Sequence, residues 1–382
     1  MDRHGLICRS IQENPRITQR EIAQKLSLSL GTVNHLIKEC ISLGYVTQGS
    51  DKICALTKAG KDFLEQFRVD GAVVLAAGFG SRFVPLTFEM PKGLLEVFGE
   101  RMVERQIRQL HEAGITDITV VVGYLKEKFE YLIDKYQVKL LYNPEYSNKN
   151  TLATVYHARD LFKGRNVYLL SSDNWLRENM YHAWECGAWY SLAHTDGETS
   201  EWCVSFNKKG RITDVEVGGN DCWFMYGPVY FSREFSDGFF PVLEAYYEIP
   251  GTEQLYWEHV FMEILNGGWE RRLKHAGIRL PQGWTEPAMY ANCQPDDQVY
   301  EFENLEELRK FDPRYQTHSD NKAMELVSQV LKVKESEIHN IKCLKSGMTN
   351  KSFLFDVDGR SYICRIPGPG TELLISRKQE AA

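Results

Sequence analysis

The most constraining feature of this chain is a short apolar run that ends in a glycine turn. Ala72-Val73-Val74-Leu75-Ala76-Ala77 carries neither charge nor polar alternation, the pattern of a strand buried on both faces, and runs straight into Gly78-Phe79-Gly80-Ser81-Arg82. A buried strand followed by such a turn brings backbone close to a ligand. The units that follow alternate. They read as a helix around Val103–Ala113, a strand Ile118–Val122 ending in Gly123-Tyr124, a helix from Lys126 to Tyr136, a strand Val138–Tyr142, a helix Leu152–Phe162 and a strand Val167–Leu170. This order predicts an α/β architecture, a mostly parallel sheet with helices on both faces and right-handed crossovers. Ligands of such sheets sit beyond the carboxyl ends of the strands.

The chain is long enough for more than this one unit. At 382 residues and 43 % hydrophobic content it can bury at least two cores. No stretch approaches the roughly 18 uninterrupted apolar residues of a membrane span, and Met1-Asp2-Arg3-His4-Gly5 opens without a secretory h-region. A soluble, cytoplasmic protein without membrane contact is expected. The nine cysteines are scattered from Cys8 to Cys364 with no C-x-x-C pair, so free thiols are expected rather than disulfides or zinc. Net charge is −7, but residues 1–68 hold ten Lys and Arg against seven Asp and Glu. A basic head therefore precedes an acidic body.

In that head, Thr18 and Glu21 stand at N-cap and capping-box positions before Ile22, Ala23 and Leu26, whose spacing is helical. After Ser27-Leu28-Ser29, the stretch Gly31–Ile41 repeats the pattern with Val33, Leu36, Ile37 and Ile41 on one face. Two helices and a tight turn make a helix-turn-helix. Gly44-Tyr45-Val46 and Ile53–Gly60 read as a two-stranded wing, and the order resembles bacterial winged-helix regulators, which sets a winged helix-turn-helix domain at residues 1–68. Thr32, Asn34, His35 and Lys38 are its candidates for reaching DNA base edges and phosphates, with protein docking or dimerisation as the alternative.

The glycine turn decides between ligand classes. Phe83 stands where a dinucleotide fold needs its third glycine, and no Gly-Lys-Ser/Thr ending marks a P-loop. What stands here is Leu75-Ala76-Ala77-Gly78-Phe79-Gly80-Ser81-Arg82, followed further on by Pro91-Lys92. This resembles the signature of the Rossmann-like nucleotidyltransferases that join an NTP to a phosphorylated small molecule, the sugar-nucleotide pyrophosphorylase superfamily. Attack on an α-phosphorus brings two polyanions together, so such a site must neutralise charge and hold atoms in line. Gly78 and Gly80 let N–H groups approach a triphosphate, and Arg82 suits the leaving pyrophosphate. The resemblance places Lys92 beside the α-phosphate. Asp173, at the end of a buried strand, suits Mg²⁺, with a helix cap or turn as the plainer alternative.

Further motifs narrow the resemblance to the bacterial CTP:phosphocholine cytidylyltransferases across residues 71–312. They are Gly123–Phe129, Asn143-Pro144-Glu145-Tyr146, Asn150-Thr151, Ser172-Asp173-Asn174, Glu201-Trp202, Leu255-Tyr256-Trp257-Glu258 and Tyr300-Glu301-Phe302-Glu303-Asn304. The resemblance implies transfer of a cytidylyl group from CTP to phosphocholine, giving CDP-choline and pyrophosphate. Lys92, Arg82 and Asp173 would be catalytic. Leu75, Ala76, Ala77, Gly78, Gly80, Ser81, Arg82, Tyr124, Asn150 and Thr151 would bind nucleotide. The second metal carboxylate is taken as Glu303, where the pattern has Asp, with Glu301 and Glu258 as rivals. A trimethylammonium donates no hydrogen bond, so Glu201, Trp202, Tyr256, Trp257 and Glu258 are the candidates to hold it through ring faces and carboxylates, with aromatic core packing as the alternative. A sugar 1-phosphate or phosphoethanolamine acceptor, or a nucleotide-sensing regulator, are the other readings. A homodimer is compatible with the sequence.

The nucleotidyltransferase domain spans 70–316. A polar connector, Pro313 to Glu325, then leads to a helix near Met324–Leu331. Ile341–Phe355 reads as strand, phosphate-covering turn and strand, and resembles the first hairpin of the choline kinase and aminoglycoside phosphotransferase lobe. Arg365 and Glu380 fall where that lobe has its ATP-gripping pair, which makes 320–382 an incomplete kinase-like N-lobe. The second-lobe aspartates are absent, so the expectation is a unit without kinase activity whose parent chain continues.

Overall fold

The capping box at Thr18 forms as expected. Thr18 Oγ1 accepts from the Glu21 N–H at 3.3 Å, and the Glu21 carboxylate accepts from the Thr18 N–H at 2.7 Å. The computed structural model describes residues 1–49, 52–317, 319–346 and 350–367. Its head contains α1 (Arg3–Glu13), α2 (Gln19–Lys25), α3 (Leu30–Ser42), the wing strands β1 (Val46–Gln48) and β2 (Cys54–Leu56), and α4 (Lys58–Glu65). The wing's second strand is shorter than expected because Thr57 Oγ1 accepts from the Gly60 N–H and starts α4. The first helix is an addition to the sequence reading. Its Ile7, Cys8 and Ile11 close the head's core against Val33, Leu36, Ile37 and Cys40.

The head is fastened to the body. Arg9, on α1, donates to the Glu185 carboxylate at 2.6 Å with both side chains buried, and His182 meets Glu13 at 2.8 Å. Trp184 packs into the head's core. The other oxygen of Glu185 accepts from the Tyr168 hydroxyl at 2.8 Å.

The body begins with β3 (Gly71–Ala76), the short hairpin β4 (Glu96–Val97) and β5 (Glu100–Arg101), and α5 (Met102–Glu112). Next come β6 (Ile118–Val122), α6 (Tyr131–Tyr136), β7 (Lys139–Tyr142), α7 (Thr151–Ala158), β8 (Val167–Ser171) and β9 (Asn174–Leu176). Strands β8, β3, β6 and β7 are parallel neighbours in that order. Alternation along β3 shows why helices cover both faces: Val73 joins α7 residues in one core, while Ala72, Val74 and Ala76 join α5 residues in another. The next strands are β10 (Trp189–His194), β11 (Glu198–Phe206), β12 (Ile212–Asn220) and β13 (Trp223–Phe231). These extend the sheet past β8 as an antiparallel half in the order β12, β11, β13.

Helices α8 (Arg233–Glu248), α9 (Trp257–Leu265) and α10 (Gly268–Ala276) follow, then β14 (Tyr290–Cys293), β15 (Val299–Glu301), α11 (Leu305–Phe311), α12 (Arg314–Thr317) and α13 (Lys322–Leu331). The chain ends its described part in a three-stranded antiparallel sheet, β16 (His339–Ser346), β17 (Asn350–Val357) and β18 (Arg360–Pro367). Strands β16 and β17 fall where the two strands within Ile341–Phe355 are expected. Gly347-Met348-Thr349, its turn, and Glu380 lie outside the described residues.

Two expectations are corrected here. The stretch 313–325 is not a bare connector: Tyr315 is buried and donates to the Glu96 carbonyl at 2.8 Å, and Ala323 and Met324 enter a third core. That core joins Phe83, Val84, Leu86 and Phe88 to Val327, Ile338, Phe353 and Phe355, so it crosses the boundary expected between 316 and 320. The cysteines are not all free either. Cys203 and Cys222, 19 residues apart, are bonded because the turns between β11, β12 and β13 return them to neighbouring positions.

Candidate active site

The glycine turn after β3 forms one wall of a cleft of about 680 Å³ at the carboxyl edge of the parallel strands. Gly80 takes a left-handed conformation at φ +67°, and a Cβ there would meet the Lys92 Cβ at 3.1 Å. A side chain at Gly93 would strike Ser172 Oγ at 2.5 Å. Only glycines let the Pro91-Lys92 segment lie flat between the turn and the end of β8. That close packing sets the central contact of the cleft, 2.6 Å from Lys92 Nζ to Asp173 Oδ2. Lys92 Nζ also stands 4.9 Å from the centre of the buried Phe83 ring. Burial pushes the Asp173 carboxyl up, but the Lys92 ammonium outweighs it and holds the group below the usual range.

Arg82 is exposed at the rim, 3.4 Å from Glu303. Glu301 stands opposite Asn174, whose side-chain amide donates to it at 3.2 Å. Enclosure by the cleft walls and the charge of Asp173 push the Glu301 carboxyl up. The Tyr226 hydroxyl fixes this strand by accepting from the Glu301 N–H at 2.6 Å. Asp173, Glu301 and Glu303 all line the cleft, although among the described residues no three acidic, His or Cys side chains converge tightly enough to hold a metal alone.

The other end of the cleft is aromatic and acidic. Trp202 stands edge-on to Tyr256 at 6.3 Å, with Glu201 beside it and Glu258 deeper in. Glu258 accepts from the Tyr190 hydroxyl at 3.2 Å through Oε1, while its Oε2 is buried with no hydrogen-bond partner. Burial pushes its carboxyl up to about 7. Glu201 is also raised, by burial and then by the charge of Glu303. Asn150 caps α7 by accepting from the Thr151 N–H, and Thr151 Oγ1 accepts from the Trp257 N–H, so the two helix starts are stitched together.

The sequence expectations divide as follows. Leu75, Ala76, Ala77, Gly78, Gly80, Ser81, Arg82, Lys92, Asn150, Thr151, Asp173, Glu201, Trp202, Tyr256, Glu258 and Glu303 all line this one cleft. Trp257 does not. It is 3 % exposed and stacks behind Tyr190 at 5.8 Å, because successive residues of a helix start point about 100° apart and its neighbours take the cleft side. Tyr124 is also outside the lining; its ring packs edge-on against Phe79, and its N–H donates to the Ala77 carbonyl behind the turn. Tyr146, from the motif Asn143–Tyr146, lines the cleft too, as do Lys149, Tyr190, Met225 and Tyr226, which were not singled out. Lys149 is held by Glu145 at 2.7 Å, and its motif Asn143–Tyr146 was the available signal.

In the head, His35 and Lys38 are exposed on α3, whereas Thr32 bonds its cap Ser29 and Asn34 donates to Gln19 of α2 at 3.2 Å. His35 also pairs with Glu39 at 3.3 Å, so Thr32, Asn34 and His35 of the expected DNA-facing set are engaged within the head.

Comparison with known proteins agrees with this layout. Residues 71–186 match the model of the nucleotidyl transferase family, and residues 3–47 match a winged helix-turn-helix DNA-binding family. A 2-aminoethylphosphonate cytidylyltransferase of Lancefieldella rimae is 35 % identical over 191 residues, 50 % of this chain and 78 % of that protein. A choline-phosphate cytidylyltransferase of Streptococcus pneumoniae is 26 % identical over 241 residues, 63 % of this chain and 96 % of that one. A solved structure of the CTP:phosphocholine cytidylyltransferase from Streptococcus pneumoniae superposes with a TM-score of 0.56 at 26 % identity, covering 65 % of this chain and 99 % of that one.

Proposed function

Because this chain belongs to the nucleotidyl transferase family and is a cytidylyltransferase, we propose that it transfers the cytidylyl group of CTP to phosphocholine, releasing pyrophosphate. The observation that carries the reading is the Lys92–Asp173 contact at the glycine turn, facing an aromatic and carboxylate end in the same cleft. The acceptor's phosphate oxygen attacks the α-phosphorus directly, and pyrophosphate leaves on the opposite side. Lys92 neutralises charge that builds on the α-phosphate, and Arg82 at the rim holds the departing pyrophosphate. N–H groups around Gly78 and Gly80 approach the triphosphate. Asn150 and Thr151 complete the nucleotide end.

The carboxylates fit Mg²⁺. They are hard oxygen donors, and the crowding of Glu301 against Asp173 leaves negative charge that a divalent cation would relieve. Asp173 would hold it with Glu301 or Glu303, and phosphate oxygens would supply further ligands. Bound there, Mg²⁺ would neutralise phosphate charge.

A second acceptor reading rests on one atom. Glu258 Oε2 is buried without a donor, and a primary ammonium can donate to it where a trimethylammonium cannot. That favours 2-aminoethylphosphonate, the acceptor named for the Lancefieldella relative. We also read the head as a DNA-binding unit that adjusts expression or activity.

Pyrophosphate release with Mg²⁺ and each NTP, crossed with phosphocholine, 2-aminoethylphosphonate, phosphoethanolamine and glucose 1-phosphate, tests these readings together. Release only with CTP and phosphocholine is expected. Preference for the aminophosphonate selects the second reading, and silence with CTP still bound makes the body a nucleotide sensor.

A further inference from the structure

The segment that carries Lys92 is held from behind by residues far along the chain. Lys351 Nζ, on β17, donates to the Phe88 carbonyl at 2.7 Å and lies 5.3 Å from the centre of that ring. Asn321 Nδ2, at the cap of α13, donates to the Pro85 carbonyl at 3.2 Å. Phe88 packs against Phe353 on one side and Phe79 of the glycine turn on the other. Next to Phe88, the buried Thr87 donates its hydroxyl to the Gly80 carbonyl at 2.9 Å. An unbroken series of contacts thus runs from Lys351 through Phe88 and Thr87 to Gly80, whose Cα lies against Lys92.

We propose that Lys351 and Asn321 are positioning residues for cytidylyl transfer, so that the C-terminal sheet serves as the back wall of the catalytic loop. This rests on the function proposed above. Segment 85–91 is built from short turns whose own backbone bonds reach only from Pro85 and Leu86 to Phe88, Glu89 and Met90, so contacts from outside, on the Pro85 and Phe88 carbonyls and on the Phe88 ring, add to what fixes it. A half-buried ammonium on a carbonyl is a charge-assisted tie, and burial pulls the Lys351 group below the usual lysine range.

The test uses the full chain and the variants Lys351→Met, Lys351→Arg and Asn321→Ala. Steady-state kinetics should show Lys351→Met lowering kcat by about tenfold, as small misplacements of catalytic groups do, with the acceptor KM little changed. Lys351→Arg should restore most of it. Amide hydrogen exchange supplies a readout independent of turnover: residues 85–94 should exchange faster in Lys351→Met while β3 and β6 stay protected. Wild-type kcat together with unchanged exchange in Lys351→Met would overturn the proposal. Should wild-type protein turn over no acceptor, the proposed function fails, and the exchange comparison alone decides the structural tie. Asn321→Ala provides the same comparison if Lys351→Met does not fold.

Discussion

The Lys92 ammonium lies 2.6 Å from the Asp173 carboxylate, and the Arg82 guanidinium lies 3.4 Å from Glu303. Each basic group intended for phosphate is therefore matched to a carboxylate suited to a cation. On the function proposed above, a metal–nucleotide complex would exchange both partners, offering phosphate to Lys92 and Arg82 and a cation to Asp173 and Glu303. Each of these two pairs is self-neutral, which limits the desolvation cost of holding its members in place.

Loss of Lys92 should fall on the chemical step. Lys92→Ala is expected to reduce kcat by about 10²–10³-fold, the usual effect of deleting a donor aimed at developing charge, with a smaller effect on CTP affinity. Pyrophosphate-release kinetics alongside CTP calorimetry measure the two separately. Unchanged turnover would remove Lys92 from the mechanism.

Glu258 should impose a pH dependence on acceptor binding. Its carboxyl is pushed up to about 7, so it is mostly neutral below that pH and offers an ammonium its counter-charge only above it. The acceptor KM should fall as pH rises through about 7, and Glu258→Gln should remove that component. Linkage runs the other way. A folded pKa above the unfolded value of 4.5 contributes stability that is present below 4.5 and is lost as pH rises through about 7. Urea titrations at pH 5 and pH 8 should therefore show a smaller decline for Glu258→Gln than for wild type.

The two tryptophans should separate cleanly. Trp257→Ala empties a core position beside Phe231 and Phe239 and should cost about 3–5 kcal/mol in chemical denaturation. Trp202→Ala should leave stability nearly unaltered and raise the acceptor KM by about tenfold through the lost ring face. A stability loss in Trp202→Ala equal to that of Trp257→Ala would contradict this assignment.

At the junction of head and body, Arg9→Met leaves Glu185 buried with Tyr168 as its one side-chain hydrogen-bond partner among the described residues. Removing one member of a buried ion pair typically costs about 3–5 kcal/mol. Unfolding curves of Arg9→Met and of the double variant Arg9→Met/Glu185→Leu should show the double variant recovering much of the loss.

DNA binding by the head has a separate signature. Lys38→Ala should weaken binding to a mixed-sequence duplex pool uniformly and lower the salt slope by about one, while His35→Ala should alter sequence preference. If the full chain retains no duplex even at low salt, the head is a docking module.

What the sequence made legible was local. Gly78 and Gly80 announce themselves because the turn's chemistry depends on residues within a few positions of one another, Lys92 follows in the same stretch as part of a Pro-Lys pair, and Asp173 follows on a buried strand. Tyr190 and Tyr226 were not legible. They lie on antiparallel strands whose cleft-facing register is set by pairing with distant segments, and nothing nearby marks which tyrosine faces inward. Trp257 was misplaced for the converse reason: its motif neighbours Tyr256 and Glu258 reach the cleft, but helical rotation turns the middle residue into the core. The cysteine pair escaped because sequence spacing does not show which strands a meander brings together.

The third core also bears on the order in which the protein is made. Phe88 and Lys351 are 263 positions apart. A growing polypeptide emerges from its N-terminus, so the parallel strands can assemble while the backing of the Lys92 segment is still unsynthesised. The Lys92 segment is thus among the earliest parts of the body to be translated, while the strand that ties it from behind follows much later in the chain.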